Sequence, residues 1–155
     1  MPRHLEREIQ QQAAFSGLEE EAFLNLQRTA SLLLQAVGHE LKPHRLTPAQ
    51  YNALRILRGA APAALTCGEI GERLVSPGPD VTRLLDRLEA HRLVERLRDE
   101  ADRRLVRARI TSRGSELLGR IDAPVAAGLR RLLGPLGPKR LRALIELLEQ
   151  ARFRA

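Results

Sequence analysis

Apolar residues at Leu18, Ala22, Leu26, Ala30, Leu33, Val37 and Leu41 recur every three or four positions and predict one long amphipathic helix over 18–41. Leu32 and Leu34 widen this stripe beyond what a lone surface helix needs, and Pro43 ends it. The residues before it, 1–17, are polar and read as an N-terminal arm or a frayed helix. The string Thr47-Pro48-Ala49-Gln50 is a capping box with proline at the first helical position, and Tyr51, Leu54 and Leu57 give the helix that follows its inner face. Gly59 opens a loose linker, Ala60 to Ala64. A second capping box, Thr66-Cys67-Gly68-Glu69, starts a short helix to about Val75, with Ile70 and Leu74 inward and Gly71 against the next helix. Ser76-Pro77-Gly78-Pro79 is a turn, and a helix over Pro79 to Ala90 buries Val81, Leu84, Leu85 and Leu88. Two short helices joined by a tight turn make a helix-turn-helix pattern.

The period then changes. Val94-Glu95-Arg96-Leu97-Arg98 and Val106-Arg107-Ala108-Arg109-Ile110 read as short strands with one buried face, and the polar stretch Asp99 to Arg104 between them is a hairpin tip. Thr111 caps a last long helix whose stripe is Leu117, Leu118, Ile121, Val125, Leu129, Leu132 and Leu133, with Pro124 inside it as a kink site. Gly134-Pro135-Leu136-Gly137-Pro138 breaks the chain before a helix from Lys139 to about Arg152. The fold class is therefore mainly α with a small β-wing: a winged helix-turn-helix over 47–111, flanked by N- and C-terminal helices over 18–46 and 112–155 in a single integrated domain. The terminal helices carry more leucine than one small winged domain can bury, which points to a partner.

Composition sharpens this reading. The net charge is +7, and 24 of the 26 basic residues are arginine, Lys42 and Lys139 being the exceptions. Between Arg83 and Arg113 ten arginines stand against six acidic residues, so the excess concentrates on the second short helix and the wing. A basic surface of this kind favours a polyanion. Only four aromatic residues are present, Phe15, Phe23, Tyr51 and Phe153, too few for the stacking platforms of single-strand binders. No apolar run approaches the ~20 residues that span a bilayer, and the charged start lacks the apolar core of a secretory signal; a cytoplasmic protein with no membrane partner is the expectation. A single cysteine, Cys67, excludes an internal disulfide framework and a multi-cysteine zinc site.

The strings Leu-Thr-Pro-Ala-Gln-Tyr (46–51), Asp-Val-Thr-Arg-Leu-Leu-Asp-Arg-Leu-Glu (80–89) and Asp-Arg-Arg-Leu-Val-Arg-Ala-Arg-Ile-Thr-Ser-Arg-Gly (102–114) occur in that order. In them the chain resembles the MarR family of bacterial transcription regulators, over roughly 18–151. The resemblance implies a homodimer that binds pseudo-palindromic double-stranded DNA, most often as a repressor. It places Ser76, Pro77, Gly78, Thr82, Arg83 and Arg87 at the major groove, where arginine grips guanine and threonine meets a base edge or phosphate. At the wing it implies that Arg104 enters the minor groove with Asp102 orienting it; Arg103 takes a phosphate or shares the groove, and Arg96, Arg98, Arg107 and Arg109 are generic phosphate candidates. Arg92 departs from the family pattern, which often has glycine there; a left-handed arginine costs about 1 kcal/mol.

The resemblance further implies a pocket for a small organic anion or phenolic effector near the junction of the terminal helices and the DNA-binding lobe, with His39, His44, Arg45 and Tyr51 as candidates. A winged-helix module without an effector is the alternative, and it differs by an operator affinity that no ligand changes. Cys67, at a helix start, reads as a structural cysteine more than as a redox sensor. No cofactor and no metal are expected, since His39 and Glu40 are adjacent and diverge on a helix and no His-x-x-x-His pair exists. An enzyme is not expected either, for there is no Gly-x-Ser-x-Gly, no phosphate-cradling glycine loop and no coherent carboxylate–histidine set.

Overall fold

The computed structural model describes residues 4–78, 80–99, 102 and 104–153. Among these residues α-helices run over His4–Glu8 (α1), Leu18–Leu41 (α2), Pro48–Ala60 (α3), Cys67–Arg73 (α4), Val81–Ala90 (α5), Ser112–Leu133 (α6) and Gly137–Phe153 (α7), and strands over Leu65–Thr66 (β1), Val94–Arg98 (β2) and Val106–Ile110 (β3). The chain divides into two compact units, Met1–Gln35 and Ala36–Ala155.

In the first unit the expected arm is partly ordered as α1, because Leu5 and Phe15 are apolar enough to be buried. The long helix α2 has the predicted bounds, yet Leu18, Phe23, Leu26, Leu32 and Leu34 are exposed on it.

The second unit is built on its caps. Both capping boxes form: Thr47 Oγ1 accepts from Gln50 N at 3.2 Å while Gln50 Oε1 accepts from Thr47 N at 2.9 Å, and Thr66 and Glu69 repeat the pair at 3.2 and 2.7 Å. Gln50 is buried because this cap satisfies its side chain. The core beneath is one cluster that includes Leu54, Leu57, Ile70, Leu85, Leu88, Leu118 and Ile121. The helix α4 ends at Arg73, short of Val75, and α5 starts at Val81, with Asp80 Oδ1 accepting from Arg83 N at 3.1 Å as its cap. Gly71 does face α5 as expected, but a Cβ there would meet Val81 at an ordinary 3.6 Å, so the packing does not require glycine.

The sheet has the order β1-β3-β2 and is antiparallel throughout, with Val94 opposite Ile110, Arg98 opposite Val106 and Leu65 opposite Ala108. Ala108 and Val94 are buried, whereas Val106 near the tip is exposed, so the inward face closes only at the base of the wing. One knot of bonds sets the wing on α6: Thr111 N donates to Leu93 O at 3.0 Å, Thr111 Oγ1 donates to Arg92 O at 2.9 Å, and the same hydroxyl accepts from Gly114 N at 3.1 Å. A Cβ on Gly114 would lie 2.3 Å from the Leu93 carbonyl, so only glycine fits. Pro124 lies within α6, which continues unbroken to Leu133. The last helix, α7, has no buried residue.

Candidate nucleic-acid interface

The polar side of α5 is laid out by its helical period. Leu84, Leu85 and Leu88 point into the core, leaving Thr82, Arg83 and Arg87 exposed. Among the described residues neither Arg83 nor Arg87 has an ion pair, and Thr82 Oγ1 is 4.0 Å from Cys67 Sγ at the start of α4. Ser76, Pro77 and Gly78 are exposed in the preceding turn, where Gly78 has φ 110°, a conformation that favours glycine. Asn52 of α3 anchors this turn, its Oδ1 accepting from Val75 N at 2.9 Å. Sequence reasoning missed Asn52, because a partner 23 residues away leaves no local signal.

At the wing tip Asp102 and Arg104 are both exposed. The expected bond from Asp102 to the Arg104 guanidinium is replaced by one to its backbone: Asp102 Oδ1 accepts from Arg104 N at 3.0 Å. Asp102 N in turn donates to Asp99 Oδ1 at 3.0 Å, and Leu105 N to Asp102 O at 2.9 Å. Asp102 thus shapes the turn, as short acidic side chains do, and leaves the Arg104 side chain free to project. Arg103 lies outside the described residues.

The four strand arginines divide. Arg98 is exposed and without an ion pair among the described residues. Arg107, expected as a phosphate contact, is instead engaged inside the protein: its Nε donates to Asp99 Oδ2, and its Nη1 lies 3.3 Å from Glu69 Oε2 and 3.4 Å from Ala64 O. The Asp99 hydrogen bond raises the Arg107 pKa, and the hydrogen bond from Thr66 N, with Arg107 beside it, holds the Glu69 carboxyl below its usual range. Arg109 pairs with Glu95 across the strands. Arg96 reaches α5, where its Nη2 is 2.7 Å from Asp86 Oδ1 and 3.0 Å from Thr82 O, and its Nη1 is 3.7 Å from Glu89 Oε2. The strand alternation marked these arginines as outward but could not show which acids meet them.

Of the four residues expected at an effector pocket, His44 lines a sizeable cleft. This cleft of about 390 Å³ has His44, His91, Arg113 and Arg120 on its walls and Leu93 and Leu117 as its apolar part. Glu116 is its one carboxylate, and neither arginine is ion-paired among the described residues. His39 and Arg45 are exposed elsewhere, Arg45 with φ 55° at the end of a 3₁₀ turn. Tyr51 is buried and engaged within the protein: its phenol donates to Asp122 Oδ1 at 2.6 Å. Asp122 Oδ2 is 2.7 Å from Arg58 Nη1, and the Arg55 guanidinium carbon lies 5.7 Å from the centre of the Tyr51 ring. Burial and the Asp122 hydrogen bond push the Tyr51 phenol up to about 12. Burial opposes ionisation of Asp122, but the bonds from Tyr51 and Arg58 outweigh it and hold that carboxyl below its ordinary value. The group braces α3 against α6.

Cys67 is half-buried at the first position of α4. No described helix is long and apolar enough to cross a membrane. Among the described residues no three His, Cys, Asp or Glu side chains gather as metal ligands.

Comparison with known proteins gives the same frame. The sequence profile of the MarR family matches residues 44–105. The uncharacterized HTH-type transcriptional regulator YkoM of Bacillus subtilis (strain 168) is 30% identical over 142 residues, covering 89% of this chain and 91% of that one. A MarR transcription factor from Planctomyces limnophilus is 36% identical, with a TM-score of 0.69 over 88% of this chain and 99% of its own. The transcriptional repressor CouR, in a structure bound to a 23-mer DNA duplex, is 29% identical, with a TM-score of 0.78 over 91% of this chain and 99% of its own.

Proposed function

This chain belongs to the MarR family of transcriptional regulators, whose members are not enzymes, and we propose that it acts as a homodimeric repressor of a pseudo-palindromic operator, released by a small organic anion. The observation that carries the DNA reading is the exposed, unpaired basic face of α5 beside a wing tip that frees Arg104. Thr82 and Arg83 read bases in the major groove, with Ser76, Pro77 and Gly78 at the backbone beside them and Arg87 and Arg98 on phosphates. Arg104 enters the minor groove, whose narrow A·T stretches attract guanidinium. CouR, a relative of similar length caught on duplex DNA, supports double-stranded DNA as the partner.

Dimerisation is supported by α7. A helix with no buried residue that exposes Ile145, Leu147 and Phe153 needs a partner surface, and two copies about one DNA turn apart (~34 Å) meet successive major grooves. The effector reading rests on the basic cleft of His44, His91, Arg113 and Arg120, whose cations and apolar part suit a carboxylate borne on a small ring. His91 caps the C-terminal end of α5, so a ligand there touches the DNA-reading helix itself. Such a ligand acts only by binding the free and DNA-bound states differently.

The test is binding to the DNA upstream of the protein's own gene, against a shuffled fragment, with and without a panel of aromatic carboxylates. A preference of ~10³-fold is expected for the operator, and Arg104→Ala is expected to weaken it by about 1–3 kcal/mol. Equal binding to both fragments, steep in salt, rejects sequence-specific reading at that site. An affinity that no carboxylate alters favours the effector-free module.

A further inference from the structure

We propose that Arg96 is a positioning residue for DNA reading, locking the wing to the recognition helix so that Arg104 and the α5 face engage their two grooves together. The proposal rests on the reading of Arg104 as the wing contact. Three groups on α5 meet the Arg96 guanidinium: the Thr82 carbonyl at 3.0 Å, Asp86 at 2.7 Å and Glu89 at 3.7 Å. They stand at i, i+4 and i+7, which is one stripe along the helix. Asp86 and Glu89 lie on the wing side of α5, Arg83 and Arg87 on the neighbouring exposed stripe and Leu84, Leu85 and Leu88 on the buried one, while Thr82 gives Arg96 only its carbonyl and keeps its side chain exposed. The Arg96 side chain is 24% exposed, so most of it is covered by the protein. On the other strand Arg107 ties β3 to Asp99 and to Glu69 of α4. Each strand of the wing is thereby fixed to one helix of the helix-turn-helix.

A clamp and a phosphate contact predict different behaviour. A phosphate contact contributes equally on any sequence and accounts for about 0.9 of the slope of log affinity against log salt. A clamp acts only through the wing. The experiment is a double-mutant cycle on operator and shuffled DNA at several salt concentrations, with Arg96→Met, Arg104→Ala and both together. The expected result is a loss of about tenfold on the operator for Arg96→Met, with an unchanged salt slope and unchanged affinity for shuffled DNA. In the Arg104→Ala background the same change is expected to cost less than twofold.

A slope that falls by about 0.9 overturns the clamp in favour of a phosphate contact. A tenfold loss that persists in the Arg104→Ala background overturns it by showing that the effect does not pass through the wing, and so does no loss at all. Arg104→Ala that is silent alone sinks the wing reading itself, and the clamp with it. Arg104→Ala that weakens binding while adding independently to Arg96→Met sinks the clamp alone. If Arg96→Met does not fold, Asp86→Asn with Glu89→Gln removes the partners and leaves the wing untouched. That pair is expected to weaken operator binding, again only when Arg104 is present; tighter binding with a steeper slope overturns the proposal.

Discussion

At the residue scale the junction after the recognition helix shows two opposite solutions to one crowded corner. Arg92 adopts φ 58° as the residue after the α5 cap, with its amide bonded to Glu89 O at 2.7 Å and the Leu93 amide to Leu88 O at 3.0 Å. These are the paired bonds of a Schellman motif, normally closed by glycine. The turn does not change to suit the arginine; the strain is tolerated because Leu93 is buried and both Leu93 and Arg92 are tied to Thr111. Arg92→Gly is therefore expected to stabilise the fold by up to about 0.5 kcal/mol, the left-handed penalty removed less the added freedom of the unfolded chain. Urea denaturation reads it directly, and a loss of stability would show that the Arg92 side chain contributes more than its backbone costs. At Gly114 the position is reversed, since the Leu93 carbonyl leaves no room for a side chain.

At the element scale the brace of Tyr51, Asp122 and Arg58 fixes α3 against α6. The Asp122 carboxyl is held below its ordinary value, so its contribution is complete above about pH 4, where the unfolded group is ionised, and is lost as pH falls through the lower folded value. Between pH 5 and pH 2.5 the melting temperature of the native protein is expected to fall further than that of Asp122→Asn. Parallel declines would show that the charge of Asp122 adds nothing to the brace. Elements of this kind differ in how far the sequence reveals them. The helices over 48–60, 67–73 and 112–133 announce themselves through Thr47, Thr66 and Thr111 and through stripes of leucine, and the two long strands through alternation. The strand β1 is two residues long, too short for a period, and its pairing with Ala108 and Arg107 is a tertiary event. The fates of the wing arginines were equally hidden. Arg107 meets Asp99 eight residues away and Glu69 thirty-eight away, and arginine alternating with apolar residues looks the same whether it faces phosphate or carboxylate. The bond from Tyr51 to Asp122 was hidden in the same way, its partner lying seventy-one positions distant.

At the scale of the whole molecule the decisive observation within the second unit is a helix without a core. Ile145 and Leu147 of α7 are more than half exposed, and no residue of that helix is buried. Ile145→Arg is expected to shift the protein to monomer at micromolar concentration in sedimentation and to lower operator affinity, while the melting of the winged lobe is kept. A variant that stays dimeric would place the interface elsewhere.

Pro124 gives the molecule a mechanical property. Lacking an amide hydrogen, it leaves the Arg120 carbonyl without its usual partner one turn on, so α6 is softest where the wall of the basic cleft ends. The segment from there back to Ser112 is a stiff rod about 18 Å long at 1.5 Å per residue. Its far end is bolted to the recognition lobe by Thr111 and Gly114. A tilt of about 10° at the proline would carry that end by roughly 3 Å, close to the spacing of neighbouring residues along a strand.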